Sequence, residues 1–146
     1  LKSCLDCGQT SVLLSVVEPQ AALIAGLHVH PKIGDRTNIG AVVLESFCLR
    51  LDALLLSHGA TTTTTTKEEG GEGKSTRQQQ HSLISDKGIH NVLLFITCLY
   101  NFKVTYCGLI YEVIRRLLDR MLGIDVELLL LLLENCGWRL RNDDPA

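Results

Sequence analysis

Six consecutive leucines at positions 128–133 constrain the fold of this chain more than any other feature. Six successive side chains on an α-helix point in every direction around the axis, so this run leaves no polar face. A membrane-spanning helix needs roughly 20 apolar residues, and we therefore expect no transmembrane helix. The run instead predicts a helix that other helices of a layered array cover on several sides.

The composition is typical of one helical globular domain. Of the 146 residues, 46% are hydrophobic and 21% are charged, which is too apolar for a disordered chain. Aromatic residues make up only 5%, whereas leucine, which keeps its rotamer freedom in a helix, is abundant. We therefore expect an all-α fold. The formal net charge of −2 excludes a histone-like or polybasic binder.

The chain begins at Leu1, without a methionine and without the layout of a signal peptide, so we expect it to be part of a longer protein. Its six cysteines lie mostly within apolar helical patterns. This placement favours reduced thiols in an intracellular protein.

Residues 1–57 are predicted to form a first helical block. Between Val42 and Leu55, apolar residues recur at steps of three and four, which indicates a half-buried helix over about 39–57 with Asn38 as its N-cap. Pro19 has no backbone donor, so it predicts either a kink or a new helix start.

Residues 58–85 differ in composition from the rest of the chain. Six threonines at 61–66 precede a stretch rich in glycine and glutamate, and a glutamine triplet follows. Such a segment buries too little apolar surface to offset the entropy lost on ordering. We therefore predict a disordered insertion between two helical blocks.

Residues 86–146 form the second predicted block, truncated at its C-terminal end. We expect one helix capped by Asp86, a second over about 106–121, and a third that Asp125 caps and that closes at Cys136-Gly137. Helices joined by short turns stack as antiparallel pairs, as in a solenoid. The predicted inner stripes of the first two helices are Ile89, Val92, Leu93, Ile96, Leu99 and Tyr100, and Ile110, Val113, Ile114, Leu117 and Met121.

Three stretches of the second block carry a resemblance to a known family: Leu99–Val104, Cys107–Leu118 and Asp125–Pro145. They are similar to the nucleolar branch of proteins that carry the middle domain of eukaryotic translation initiation factor 4G. The resemblance covers residues 1–57 more weakly and residues 87–146 more closely, and it leaves out the insertion.

The resemblance implies a HEAT-like solenoid of antiparallel helical pairs. It also implies a nuclear, nucleolar scaffold with no catalytic activity and no cofactor, which docks a DEAD-box RNA helicase of the initiation-factor-4A type in small-subunit ribosomal RNA processing. Pre-ribosomal RNA or a ribonucleoprotein would be a further partner, through direct or indirect contact. An alternative is a relative that binds RNA directly, in splicing or messenger-RNA surveillance.

An ATP-using enzyme is a third hypothesis, because Gly73-Lys74-Ser75-Thr76 echoes half of a phosphate-binding loop. Glu68 stands where the first glycine of that motif is needed, and threonines replace the apolar strand that should precede it. The motif therefore argues weakly for nucleotide binding.

Metal and thiol chemistry have equally weak signals. Cys4, Cys7, His28 and His30 are zinc-competent, but cysteines more often serve as small core residues. A nucleophile at Cys107 or Cys136 would lack a nearby histidine to lower the thiol pKa. We predict no metal site and no catalytic residue.

Charged residues after two helix ends are the candidates for partner binding. The helices that end near residues 102 and 136 run in the same direction, because one reversed helix separates them, so both ends should emerge at one edge. Loops on a rigid scaffold are where binding groups concentrate. The candidates are Asn101, Lys103, Arg139, Arg141, Asp143 and Asp144.

Arg115, Arg116 and Arg120 are weaker candidates for RNA binding, because they share one side of a helix. Glu112 and Asp119 lie among them at one-turn spacing. A solvated, self-neutralised surface is therefore the competing interpretation.

Overall fold

The computed structural model describes residues 14–30, 38–61 and 75–143, and these residues form five helices with no β-strand among them. We number the helices in chain order. They are α1 (Leu14–Val29), α2 (Ile39–Thr61), α3 (Ser75–Asn101), α4 (Cys107–Arg120) and α5 (Gly123–Asp143). The predicted all-α fold is confirmed.

The central helix of the fold is α3, which packs against each of the other four helices. One layer contains α1, α3 and α5, and a second layer contains α2 and α4. Successive helices pack against each other, so that α1 pairs with α2, α3 pairs with α4, and α5 begins a third pair. This two-layer order confirms the HEAT-like solenoid of helical pairs.

The hydrophobic core surrounds α3. All six residues of the stripe predicted for this helix are buried. Phe95 of α3 stacks on Phe47 of α2, with ring centroids 4.1 Å apart and an interplanar angle of 3°. Such a pair adds about 0.5–1.5 kcal/mol beyond the burial of its area. The two layers are therefore joined through α3.

The helix predicted over about 39–57 is confirmed as α2, which continues to Thr61. Asn38 is its N-cap, because the carbonyl oxygen of Asn38 accepts hydrogen bonds from the backbone N–H groups of Ala41 and Val42, at 3.0 and 3.2 Å. Pro19 does not begin a new helix, since α1 runs through it from Leu14 to Val29.

The start of α3 differs from the prediction. The helix begins at Ser75, well before Asp86, so residues 75–85 are helical although their composition assigns them to the insertion. No proline or glycine interrupts residues 75–87, and glutamine and arginine are good helix formers. The remainder of the predicted insertion, residues 62–74, lies outside the described residues.

The predicted α4 is confirmed, with one error in its inner stripe. Ile110, Val113 and Leu117 are buried, whereas Met121 is exposed. Met121 adopts the left-handed conformation, with φ of 47°, and its backbone N–H donates to the carbonyl oxygen of Leu117 at 3.0 Å. It therefore ends the helix instead of joining the core.

Both predicted ends of α5 need correction. The helix continues through Cys136 and Gly137 to Asp143, so Gly137 is not its C-terminal cap. At the other end Asp125 lies in the first turn, where its carboxylate accepts a hydrogen bond from the backbone N–H of Leu122 at 3.0 Å. A carboxylate at this position stabilises the start of a helix from within.

The leucine run is covered on one side only. Leu128 and Leu132 are fully buried, and Leu129 and Leu131 are half-buried, but Leu130 is 64% exposed. The prediction that other helices enclose α5 on several sides is therefore wrong for the described residues. Neighbours within this part of the chain, α3 and α4, cover one face of α5 and leave the opposite face open.

Two leucines of α5 provide a matched test of this burial. Leu132→Ala should cost about 2–5 kcal/mol in the free energy of unfolding, because it removes buried methyl groups and leaves a cavity. Leu130→Ala should cost less than about 1 kcal/mol, as surface substitutions do. Urea denaturation of both variants measures the difference. Equal costs would mean that the open face of α5 is covered.

Candidate functional site

The C-terminal end of α3 packs against the last turns of α5, which continues past the end predicted near residue 136. The side chain of Asn101, at the C-terminal end of α3, donates to the carbonyl oxygen of Asn135 on α5 at 3.0 Å. Arg139 of α5 donates in return to the carbonyl oxygen of Asn101. We call the surface formed by Asn101, Lys103, Arg139, Arg141 and Asp143 the charged end of the solenoid.

A buried tyrosine anchors the charged end. Tyr100 is 2% exposed, and its hydroxyl donates to Asp143 Oδ2 at 2.7 Å. The guanidinium of Arg139 lies 5.6 Å from the centroid of the Tyr100 ring, and its Nε lies 3.4 Å from Asp143 Oδ2. These contacts hold the last turns of α5 against the end of α3.

The electrostatics of this cluster favour an ionised aspartate beside a neutral phenol. Burial, together with the hydrogen bond to the Asp143 carboxylate, raises the pKa of Tyr100. The hydrogen bond from Tyr100, aided by the positive charges of Arg139 and Lys103, lowers the pKa of Asp143. The Tyr100 hydroxyl is therefore a donor, and Asp143 is its charged acceptor.

The loop after α3 is held by its own backbone. The backbone N–H of Val104 donates to the carbonyl oxygen of Leu99, and that of Lys103 donates to Tyr100, both at 3.0 Å. This pair of bonds is a Schellman motif, and Lys103, with φ of 61°, takes the left-handed position that glycine usually occupies. The exposed side chain of Lys103 therefore projects from a fixed backbone.

The same edge of the solenoid contains the end of α1. Gly40, at the start of α2, is buried where a Cβ would lie 2.7 Å from both His28 Nδ1 and Val104 Cγ1. A side chain at this position would force His28 or Val104 to shift, so glycine allows the close approach. The C-terminal end of α1 and the loop after α3 are thus neighbours, as expected when alternate helices run in the same direction.

The six predicted partner-binding residues divide into three groups. Asn101, Arg139 and Asp143 make contacts within the chain, so they position this edge of the solenoid. Lys103 and Arg141 are exposed. Asp144 lies outside the described residues. The sequence analysis assigned Tyr100 only to the core and missed its hydrogen bond, although a buried hydroxyl signals that a partner is needed.

The three candidate arginines for RNA binding lie beside carboxylates. Arg116 binds Asp52 of α2 and lies 3.4 Å from Glu112, and the hydrogen bond with Asp52 raises its pKa. Arg115 lies 3.9 Å from Glu112. A role in RNA binding remains a prediction, and this geometry favours a neutralised surface.

Arg120 is held more deeply than the other two arginines. It donates to the carbonyl oxygen of Leu55 on α2 and lies 3.2 Å from the fully buried carboxylate of Asp125. It therefore joins α4 to α2 and to the start of α5. The Asp125 carboxylate balances its positive charge within the protein.

The other sequence signals concern metal, nucleotide and thiol chemistry. Among the described residues, no three histidine, cysteine or acidic side chains are grouped to bind a metal, and Cys4 and Cys7 lie outside those residues. Of the phosphate-loop motif, Ser75 and Thr76 begin α3, whereas Gly73 and Lys74 are not among the residues described.

Two cysteines of the core have thiols that are harder to ionise than a free cysteine. Burial raises the pKa of Cys98 and of Cys136 to about 11, which favours the protonated thiol at neutral pH. The described cysteines are free thiols.

None of the described helices has the length and apolar character that a bilayer crossing requires.

Comparison with protein families identifies the domain. The family model described as "MIF4G domain" matches residues 11–146, which is nearly the whole chain. The chain belongs to the MIF4G domain family. This family identity agrees with the helical pairs described above.

Among curated proteins, the MIF4G domain is similar to "Suppressor of glycerol defect protein 1" of Schizosaccharomyces pombe, with 40% identity over 47% of this chain and 9% of that protein. It is also similar to "Nucleolar MIF4G domain-containing protein 1 homolog" of Drosophila melanogaster, with 39% identity over 42% of this chain and 7% of that protein. The human "Nucleolar MIF4G domain-containing protein 1" is 40% identical over 40% of the chain and 7% of its own length. The chain thus matches less than a tenth of these relatives.

These names confirm the resemblance to the nucleolar branch and the nuclear, nucleolar localisation. No solved structure matches the chain.

The Tyr100–Asp143 hydrogen bond predicts a pH dependence of stability. The folded pKa of Asp143 is lowered, so its stabilising contribution is present above the unfolded value of about 3.9 and is lost as the pH falls through the folded pKa. Asp143→Asn should therefore lower the melting temperature at neutral pH, and its difference from wild type should narrow in acid.

Thermal denaturation of both proteins across the acidic range measures this difference. In a Tyr100→Phe background the effect of Asp143→Asn should shrink, because the two residues share the hydrogen bond. A melting-temperature difference that stays constant with pH would contradict the assignment.

Proposed function

We propose that this MIF4G domain is a non-enzymatic scaffold that docks a DEAD-box RNA helicase of the initiation-factor-4A type in nucleolar small-subunit ribosomal RNA processing. Membership of the MIF4G family and similarity to nucleolar MIF4G proteins support the proposal. We place the docking site at the charged end, because hydrogen bonds fix α3 and α5 against each other there.

A docking surface needs residues that are both held in position and accessible. Three contacts hold the backbone of the charged end: Tyr100 to Asp143, Asn101 to Asn135, and Arg139 to Asn101. Preorganisation of this kind reduces the entropy lost on binding. The charged end would therefore be ordered before the helicase binds.

The accessible charges of this surface are Lys103 on the loop after α3 and Arg141 near the end of α5. Charges at the rim of an interface affect association rate and specificity more than total affinity. We therefore assign them to the recognition of an acidic surface on one lobe of the helicase, with Asp144 as a further candidate for contact.

Direct binding to RNA is the alternative function, and the arginines of α4 give it little support. Arg116 and Arg120 form contacts with Asp52 and Asp125 inside the domain. A phosphate backbone would have to compete with these carboxylates. Indirect contact with pre-ribosomal RNA, through the helicase, is the form of the proposal that we favour.

Charge reversal of the accessible pair tests the helicase contact. Lys103→Glu with Arg141→Glu should slow association with a recombinant helicase of this type by about 10-fold at low salt, because steering by rim charge is lost. Stopped-flow fluorescence measures the rate. Arg115→Glu, which reverses an exposed charge on α4, is the matched control and should leave the rate unchanged.

The same proteins separate the two functions. Filter binding to single-stranded RNA over a salt series should show little affinity for the isolated domain. A steep loss of RNA affinity with salt would favour the direct RNA-binding module. Association of the double reversal at the wild-type rate, with unchanged circular dichroism, would exclude the charged end as the docking site.

A further inference from the structure

A groove separates the two helices of the second layer, α2 and α4, on a different part of the molecule from the charged end. Its floor is apolar, with Cys48, Leu51 and Leu55 from α2 facing Leu109 and Val113 from α4. We call this surface the α2–α4 groove. A cavity of about 60 Å³ lies in its floor, which is room for the tip of an apolar side chain.

The groove widens toward the C-terminal ends of its two helices. A second, more open cavity of about 360 Å³ lies beside the first and shares Asp52, Leu55 and Arg116 with it. Leu56, which is 74% exposed, lines this wider part. The two cavities are therefore adjacent parts of one groove.

An outward-facing line of residues on α2 is also apolar, and its last member, Leu56, lines the wider part of the groove. Val42, Leu49 and Leu56 recur at intervals of seven residues and are exposed, with Leu49 at 64%. Apolar residues at this spacing form one line along a helix. They can pack against a line of apolar residues with the same spacing on a second helix. The pattern favours a helical occupant, because an extended strand would present side chains with a period of two.

The charges around the groove are predominantly acidic. Glu45 and Asp52 lie seven residues apart on α2, and Glu112 and Asp119 lie seven residues apart on α4. Residues at this interval lie on the same side of a helix. All four therefore belong to the two borders of the groove, where Asp52, Glu112 and Asp119 line its cavities.

The nearby arginines only partly offset these four carboxylates. Arg116 binds Asp52 and Glu112 across the mouth of the groove, and Arg115 lies 3.9 Å from Glu112. Arg120 is already paired with the buried Asp125. Its charge is matched within the protein. Four carboxylates on the borders thus face Arg115 and Arg116, and the excess of negative charge lies at Glu45 and Asp119.

We propose that the α2–α4 groove docks a basic amphipathic helix of a partner protein. The helix places a leucine-like side chain in the floor cavity, lays its apolar stripe on Leu49 and Leu56, and directs lysine or arginine side chains to Glu45 and Asp119. An apolar stripe that fits a groove provides affinity, and opposite charges on the borders provide specificity. The acidic border disfavours RNA.

Two synthetic peptides test the proposal with the full chain. Both are helical, about 20 residues long, fluorescently labelled and identical at their leucine positions, but one has lysine and the other glutamate on its flanks. Fluorescence anisotropy should show micromolar binding of the lysine peptide, weakened by salt, and at least about 10-fold weaker binding of the glutamate peptide.

Variants locate the binding surface. The double variant Leu49→Ser with Leu56→Ser should lower the affinity for the lysine peptide by about 10-fold or more. It should lose little stability, because both side chains are exposed. Leu130→Ser, on the open face of α5 and equally exposed, is the matched control. Circular dichroism verifies that each variant is folded.

Four results of the binding measurements would overturn the proposal. They are no binding of the lysine peptide, equal binding of both peptides, an equal loss of affinity in Leu130→Ser, and single-stranded RNA that binds at the groove. A dimer in sedimentation that Leu49→Ser with Leu56→Ser dissociates would assign the groove to a second copy of the chain and would also overturn it.

Discussion

The burial of α3 between the four other helices is the interaction on which the rest of the structure depends. Its inner stripe is removed from water, and Phe95 connects it to α2 through the stack on Phe47. Burial of each large apolar side chain contributes about 1.5–3 kcal/mol before the entropy of ordering is subtracted. Because both layers pack on α3, the surfaces at their edges take their positions from it.

Two different surfaces follow from this arrangement. At the C-terminal end of α3, the last buried residue, Tyr100, reaches Asp143 and fixes the end of α5. On the other layer, α2 and α4 both pack on α3, and side chains such as those of Asp52 and Arg116 bridge the space between them. The first surface is a rigid charged end and the second is an apolar groove, and a scaffold can use the two independently.

Local sequence patterns predict the parts of the fold that short-range physics controls. The period of apolar residues identifies α2, the inner stripe of α3 and most of α4, because burial of one helix face depends on that period. The parallel direction of α3 and α5, and hence their meeting at one edge, follows from helix order alone. These features can be predicted without knowing which residues distant in sequence are in contact.

The errors arise where contacts distant in sequence override local signals. Gly137 is typical of a helix end, yet α5 continues to Asp143, and the contacts of Arg139 and Asp143 with the end of α3 hold these last turns in place. The leucine run alone does not reveal which of its faces is covered. Likewise, Arg116 and Arg120 form a surface row on a helical wheel, but their partners on α2 are more than 60 positions away.

Native-state hydrogen exchange tests most directly whether α3 holds the domain together. At low denaturant concentrations, the backbone amides between Ile89 and Tyr100 should exchange only through global unfolding, with the denaturant dependence of the whole domain. Amides in α4 and α5 should exchange through smaller openings. The account would be contradicted if the α3 amides exchanged through a small local opening while α4 and α5 stayed protected.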